Sequence, residues 1–287
     1  MGEPGAPWVL VDAGMPGFAA KIRATAEARY GVGARPAAIV LTHGHFDHTG
    51  SLADLVREWD VPIYAHHLEM PYLTGASLYP PMDPTVGGFF AFLSRFFPCD
   101  SYDSADCLQE LPADGALPHM PGWEWHHTPG HTPGHVSLWR RGDRTLIAGD
   151  AFITVGLSKL TDTVTQKQEL TPPPTPATPD WDSARRSVQR LASLHPFTAA
   201  TGHGRPMSGP NLARDLQAFA ENFPVPSHGR YIHEPARADD TGILSVPPPA
   251  PDPLAKQLAL GAGLAVVAGF ALTLARRRSD RKGNMEE

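Results

Sequence analysis

Thr42-His43-Gly44-His45-Phe46-Asp47-His48 places three imidazoles and a carboxylate within six consecutive positions. It follows Ala38-Ile39-Val40-Leu41, an apolar, β-branched run that reads as a buried strand, and it precedes a turn at Thr49-Gly50 and a helix over 51–59. Residues 42–48 are therefore expected on the loop leaving a strand's carboxyl end, where open α/β sheets place ligands. His43 and His45 point together from an extended loop, while Asp47 and His48 turn the other way, so one short loop serves two adjacent metals. Imidazole with carboxylate suits zinc, and also iron, manganese or nickel. A lone histidine is ordinarily a surface or satisfied core residue. Three histidines and an aspartate packed this closely are poorly explained in that way.

Working outward, three further stretches end a strand in a residue able to hold metal or brace one that does. Trp8-Val9-Leu10-Val11-Asp12 reads as a strand closed by an acid, and Arg144-Thr145-Leu146-Ile147-Ala148-Gly149-Asp150 as another. Thr198-Ala199-Ala200-Thr201-Gly202-His203-Gly204 is a short strand and a glycine-flanked turn. Trp123-Glu124-Trp125-His126-His127 alternates like a strand and enters Thr128-Pro129-Gly130-His131-Thr132-Pro133-Gly134-His135, where proline and glycine set the stiff loop that holding one imidazole requires.

The His-x-His-x-Asp-His signature, with an aspartate before it and His131, Asp150 and His203 after it in that order, resembles the metallo-β-lactamase-fold superfamily of metallohydrolases over residues 8–230. The resemblance implies an α/β fold, an αββα four-layer sandwich. It implies that His43, His45 and His131 hold one metal, that Asp47, His48 and His203 hold a second, and that Asp150 bridges them. Asp12 would brace the metal loop by hydrogen bonds. His135, at the start of the next strand, is expected beside the ligands rather than among them. A bridging aspartate points to the glyoxalase-II-like, lactonase-like and sulfatase-like branches and away from antibiotic hydrolysis. Family members carry two or three more strands before the first of these motifs. Here seven residues precede it, so the first sheet is expected to be reduced or the chain to start late.

The 287-residue chain is long enough to bury a core, and its net charge of −6 leaves no basic footprint for nucleic acid. Cys99 and Cys107 lack metal spacing and read as ordinary thiols. Residues 1–7, rich in glycine and proline, look unstructured, and 18–30 reads as an amphipathic helix. Residues 68–107 form a long aromatic and proline-rich insertion with two open readings, a cover over the metal site or a helical hairpin packed on the core. His66, His67, His126, His127, His228 and His233 are expected to be structural. Residues 158–180 read as a proline-rich loop, Asp180 as the cap of a helix to 194, and 212–223 as a last amphipathic helix.

The catalytic domain is thus expected over 1–234, followed by a proline-rich linker over 235–253 and a terminal segment over 254–287. Within that segment, 258–275 runs 18 residues without a charge before Arg276, Arg277 and Arg278, and it is expected to be a single C-terminal membrane anchor. The catalytic domain is placed in the cytoplasm. Gly261, Ala265 and Gly269 would form a small-residue face for self-association.

The function these readings predict is a binuclear zinc hydrolase, with Asp47 and Asp150 catalytic and a small-molecule ester, thioester or lactone as substrate. Iron and manganese stay open as the metal. The alternatives are a mononuclear iron enzyme resembling persulfide dioxygenases and a membrane-tethered metal-binding protein without turnover. The chain has no Gly-x-Ser-x-Gly elbow to supply a protein nucleophile.

Overall fold

The computed structural model describes residues 1–97 and 107–252. Its layers follow from strands whose successive side chains serve different cores. The strand β1 (Val9–Val11) leads to the helix α1 (Ala19–Tyr30), then to β2 (Ala38–Val40), the one-turn α2 (Phe46–Thr49), α3 (Leu52–Trp59) and β3 (Ile63–Ala65). Ile39, Leu41 and Ile63 face Leu52, Leu55 and Trp59 of α3, while Val9, Ala38 and Val40 face the other way, onto Val136 and Leu138 of a second sheet. Short helices α4 (Met70–Leu73) and α5 (Phe89–Leu93) follow, and β4 (Leu108–Glu110) completes a parallel sheet in the order β1-β2-β3-β4.

The second sheet is built from β5 (Trp123–His127), β6 (Val136–Arg140), β7 (Thr145–Ile147), β10 (Thr198–Ala200) and β11 (Met207–Ser208), in the order β11-β10-β7-β6-β5. Between β7 and β10 lie β8 (Ile153–Val155), α6 (Leu160–Thr165), β9 (Gln168–Thr171) and α7 (Trp181–Ala192). The outer face of this sheet is covered by α7 and α8 (Leu212–Glu221), through Val188, Leu191, Leu212 and Leu216. Asp180 caps α7, accepting from the Ser183 amide at 2.9 Å. The expected four layers are therefore present.

Two parallel pairings position the functional loops. β1 lies beside β2, and β7 beside β10. Asp12 and Thr42 thus leave adjacent strand ends, as do Asp150 and His203. The Val136 amide donates to the Thr42 carbonyl at 2.9 Å and ties the mouths of the two sheets together.

Several expectations need correction. Residues 1–7 turn back along the edge strand β1, and Met1 and Val9 exchange backbone hydrogen bonds. The apolar face of α1 is thin, with Ala26 its buried residue and Ala19, Ile22 and Tyr30 partly buried. The 158–180 loop holds α6 and β9, the latter paired with β8. Part of the expected linker is a hairpin, β12 (Arg237–Asp239) and β13 (Gly242–Ser245), anchored where Ile243 donates to Ser77 Oγ at 3.1 Å and Ala236 to the Pro179 carbonyl at 3.1 Å. These backbone groups find partners, which no proline count foretells. Met1–Pro249 form one compact unit. Among the described residues no helix is long and apolar enough to cross a membrane. The 258–275 segment, with Gly261, Ala265 and Gly269, lies outside the described residues, as does Cys99.

Candidate metal centre

At the shared carboxyl end of the strands, seven donors converge in three overlapping triads. They are His43–His45–His131, His43–His48–Asp150 and Asp47–His48–His203, with ligand atoms in each within 4.8 Å of one another. The extended loop after β2 supplies His43 and His45, and α2 turns Asp47 and His48 toward the other side. The β5–β6 turn brings His131, and the ends of β7 and β10 bring Asp150 and His203. Asp150 spans both sets: its Oδ2 is 3.1 Å from His203 Nε2 and 3.5 Å from His131 Nε2, and its Oδ1 is 3.6 Å from His48 Nε2.

The arrangement fits metal. His43 Nε2 and Asp150 Oδ1 are buried and have no hydrogen-bond partner among the described residues, an expensive state for polar atoms unless a cation occupies the centre. His45 Nδ1 and His131 Nε2 stand 3.0 Å apart. Two nitrogens sharing a zinc at ~2.0–2.1 Å lie only slightly farther from each other.

The groups around the donors aim them. Asp12 adopts φ 57°, a left-handed conformation that aspartate tolerates better than most residues. From there it accepts the Thr42 amide at 2.7 Å, the Thr42 hydroxyl at 2.8 Å and His48 Nδ1 at 2.7 Å, leaving His48 Nε2 facing the centre. His135 spends both ring nitrogens elsewhere. Nε2 accepts the Asp150 amide at 2.9 Å and Nδ1 faces the Thr128 carbonyl at 3.1 Å, so His135 positions Asp150 and is not a donor to the centre. Burial drops its pKa to about 3, which keeps that ring neutral. His66 is stacked on His127 at 4.3 Å and accepts from the Leu68 amide, a structural role as expected.

The insertion closes one wall. Tyr79 lies with its ring 4.6 Å from His45, Phe90 is 6.3 Å from His203, and Phe97 is 5.6 Å from Phe46. Of the two readings of this segment, these contacts support the one in which it shapes the pocket. A cleft beside His45 and His131 is lined by Phe46, Tyr79, Met82, Pro176 and Tyr231, and no described lining residue is Lys, Arg, Asp or Glu. Sequence reasoning missed Glu69, which sits behind this wall fully buried. Its partners come from distant loops, so no local motif marks it.

Electrostatics divide the donors into two kinds. Burial pulls His43 and His131 well below the ordinary histidine range and His45 to about 4, so these rings are neutral with lone pairs available. Burial alone would also lower His48 and His203. Asp12, Asp150 and Asp47 instead carry His48 well above its usual value, and Asp150 and Asp47 raise His203 to about 10. Burial opposes ionisation of Asp47 and Asp150, but His48 and His203 hold both carboxyls low. Without metal at pH 7, then, His48 and His203 are cations and must each shed a proton to bind one. Metal entering the His43–His45–His131 set is expected to release essentially no protons, and metal entering the other set about two. Zinc calorimetry in buffers of different ionisation heat measures this directly. Affinity of the second set should fall on acidification by about tenfold per pH unit for each proton displaced. Absence of buffer dependence would contradict the charge assignment.

Residues 3–203 match the family model described as the metallo-beta-lactamase superfamily. Among curated proteins, the chain is 49% identical over 217 residues to a probable metallo-hydrolase, YflN, of Bacillus subtilis strain 168, covering 75% of this chain and 82% of that protein. It is 27% identical over 220 residues to a hydroxyacylglutathione hydrolase of Alkalilimnicola ehrlichii, covering 73% of this chain and 70% of that protein. Among solved structures, it is similar to an archaeal metallo-beta-lactamase superfamily protein from Sulfolobus tokodaii, with TM-score 0.50 and 20% identity over 76% of this chain and 77% of that one. That last likeness concerns the fold. A family match over residues 3–203, a range that spans all seven donors, and a relative at almost half identity establish that the chain belongs to the metallo-beta-lactamase superfamily of metallo-hydrolases.

Proposed function

We propose that the centre binds two zinc ions and hydrolyses an ester, thioester or lactone-type bond in a small, largely apolar and uncharged substrate. The observation that carries this reading is the doubled donor set joined through Asp150. Asp47, His48 and His203 converge as a second triad, which offers a second ion its own ligands. His43, His45 and His131 would hold one ion, Asp47, His48 and His203 the other, with Asp150 shared. Such a pair supplies Lewis acidity toward a carbonyl and a water whose pKa is lowered to about 7.

The chain's own groups do the rest. Asp47 keeps 20% of its side chain exposed while Oδ2 lies 3.3 Å from His203 Nε2, so it can accept a hydrogen bond from water at the solvent side of the centre and orient it. Asp150, almost wholly buried, has no such access and serves as an anchor. The Tyr79 hydroxyl is committed to Glu69 and the Gly44 amide, and Tyr231 donates to the Pro81 carbonyl at 2.6 Å. Their rings, together with Phe46 and Met82, offer the substrate apolar surface. The relative's name points to an acylglutathione, whose carboxylates call for cations. The described residues lining the cleft offer none, which favours a neutral acyl group.

Metal analysis of the purified chain by plasma mass spectrometry, paired with a panel of neutral and anionic esters, thioesters and lactones, tests the proposal. Two zincs per chain and faster hydrolysis of neutral apolar members are expected. One iron per chain would replace the reading with sulfur oxidation, and full metal loading without hydrolysis would leave a binding protein.

A further inference from the structure

Glu69 has no exposed surface, and no Lys or Arg pairs with it among the described residues. A buried carboxylate is costly unless hydrogen bonds replace its water. Here four donors do so, and they arrive in two pairs. Oε2 accepts the Gly44 amide at 3.0 Å and the Tyr79 hydroxyl. Oε1 accepts the Thr132 hydroxyl at 2.7 Å and the Gly134 amide at 2.7 Å. One arm of the carboxylate therefore grips the loop that carries His43 and His45, and the other grips the loop that carries His131. Gly44 also donates to Tyr79 Oη at 2.9 Å, which makes the first grip a closed triangle.

Two glycines permit this approach. A Cβ on Gly134 would lie 2.7 Å from the Glu69 backbone nitrogen and 2.9 Å from Oε1. A Cβ on Gly44 would lie 2.6 Å from Tyr79 Oη. The backbone thus closes onto Glu69 itself at Gly134 and onto its partner Tyr79 at Gly44, with no room for a side chain at either.

We propose that Glu69 is a positioning residue of the metal centre, a clamp that sets the gap between the 43–45 and 131–134 loops and thereby the affinity of the His43–His45–His131 set. It touches no donor itself. The quantity it controls is the 3.0 Å separation of His45 Nδ1 and His131 Nε2, which belong to the two loops it joins. The Asp47–His48–His203 set is braced separately, through Asp12, so the effect of losing the clamp falls on one set. This inference rests on the two-metal reading above.

The test is a stepwise zinc titration of the metal-free chain against a chromophoric chelator. In Glu69→Gln one arm becomes an amide NH₂ and faces the Gly44 or the Gly134 amide, neither of which can turn to accept. One of the two binding steps should weaken by at least about tenfold, the effect expected of lost support behind a metal ligand, while the other stays within about threefold. Tyr79→Phe removes a single donor and should weaken the same step by about three- to tenfold. Leu216→Ala, in the core beneath α8 and remote from the clamp, lowers Tm and should leave both steps unchanged. Wild-type affinity in Glu69→Gln, equal loss in both steps, or the same loss in Leu216→Ala would overturn the clamp. If Glu69→Gln does not fold, Tyr79→Phe decides, with an unchanged step overturning the proposal. A wild type that takes one metal would refute the two-metal reading, and the clamp would still be judged on that single step.

Discussion

Asp150→Asn will lower turnover by about 10³-fold or more, equivalent to about 4 kcal/mol of lost transition-state stabilisation. Asp150 Oδ2 reaches both His131 and His203, and Oδ1 is buried without a partner among the described residues. The substitution keeps the shape and removes the charge that both donor sets share. One arm becomes an NH₂ directed at imidazole nitrogens, where a metal would have to sit. The fold has reason to survive. The Asp150 amide still donates to His135, and the histidines that the carboxylate faces keep other acidic partners. With Asp150 neutral, the pull that raises His203 and His48 weakens, but Asp12 still pairs with His48 and Asp47 with His203, so neither ring is left as an unpaired buried charge. At pH 8 the metal-free variant should therefore match the wild type in circular dichroism and lose no more than about 1–2 kcal/mol of stability. Turnover is measured on the ester, thioester or lactone that the wild type cleaves fastest, with metal content determined on the same sample. Two bound metals and near-normal turnover in the variant would remove Asp150 from the bridging role.

How far the chain can be read before it is folded depends on how locally each function is encoded. His43, His45, Asp47 and His48 share one loop, so their clustering is plain in the sequence, whereas Asp150 and His203 each end a short apolar strand and were singled out by the motif order of the family the chain resembles. The four layers came from the resemblance; the run 38–41 reads only as buried, and the structure adds that Ile39 and Leu41 serve one core while Ala38 and Val40 serve another. Glu69 and Tyr79 were not legible, because what joins them to the metal loops is the Gly44 amide, 25 positions before Glu69, and the Gly134 amide, 65 after it, and sequence spacing carries no trace of that closure. The hairpin at 237–245 and the strand at 168–171 were hidden by neighbouring prolines. Proline density signals loop, yet a few residues between prolines still pair when a sheet edge or a Ser77 hydroxyl is there to receive them. His135 was ambiguous for the opposite reason. Its sequence setting mirrors that of His131, and only the Asp150 amide on its Nε2 separates their roles.

A single methyl group at Gly202 should disable the centre as effectively as the loss of a ligand. Gly202 does not adopt a left-handed conformation, so alanine meets no backbone strain there, and its effect is one of volume alone. The added Cβ would fall 2.1 Å from Asp150 Oδ1, 2.7 Å from His48 Cε1 and 3.1 Å from His48 Nε2. None of these atoms is the loose end of a flexible chain. Asp150 is held among His131, His48 and His203, and His48 is pinned by Asp12. The remaining relief is to move the backbone of Gly202, which carries His203 with it and strains the bond from the Gly202 amide to the Gly149 carbonyl, 2.9 Å long. Every way of fitting the methyl thus displaces a donor of the Asp47–His48–His203 set or the shared Asp150. Gly202→Ala should cost about 1–3 kcal/mol in stability, as overpacking does, and weaken zinc at that set by about 100-fold, with turnover falling alongside. Gly142→Ala serves as the control, since a Cβ there meets nothing within 4 Å, and both metal affinity and Tm should stay at wild-type values. Differential scanning calorimetry and chelator competition on the two variants separate volume at the centre from a general intolerance of alanine. Retention of both metals at wild-type affinity in Gly202→Ala would show that the strand ends can spread without loss, and that the donors are held less rigidly than their packing implies.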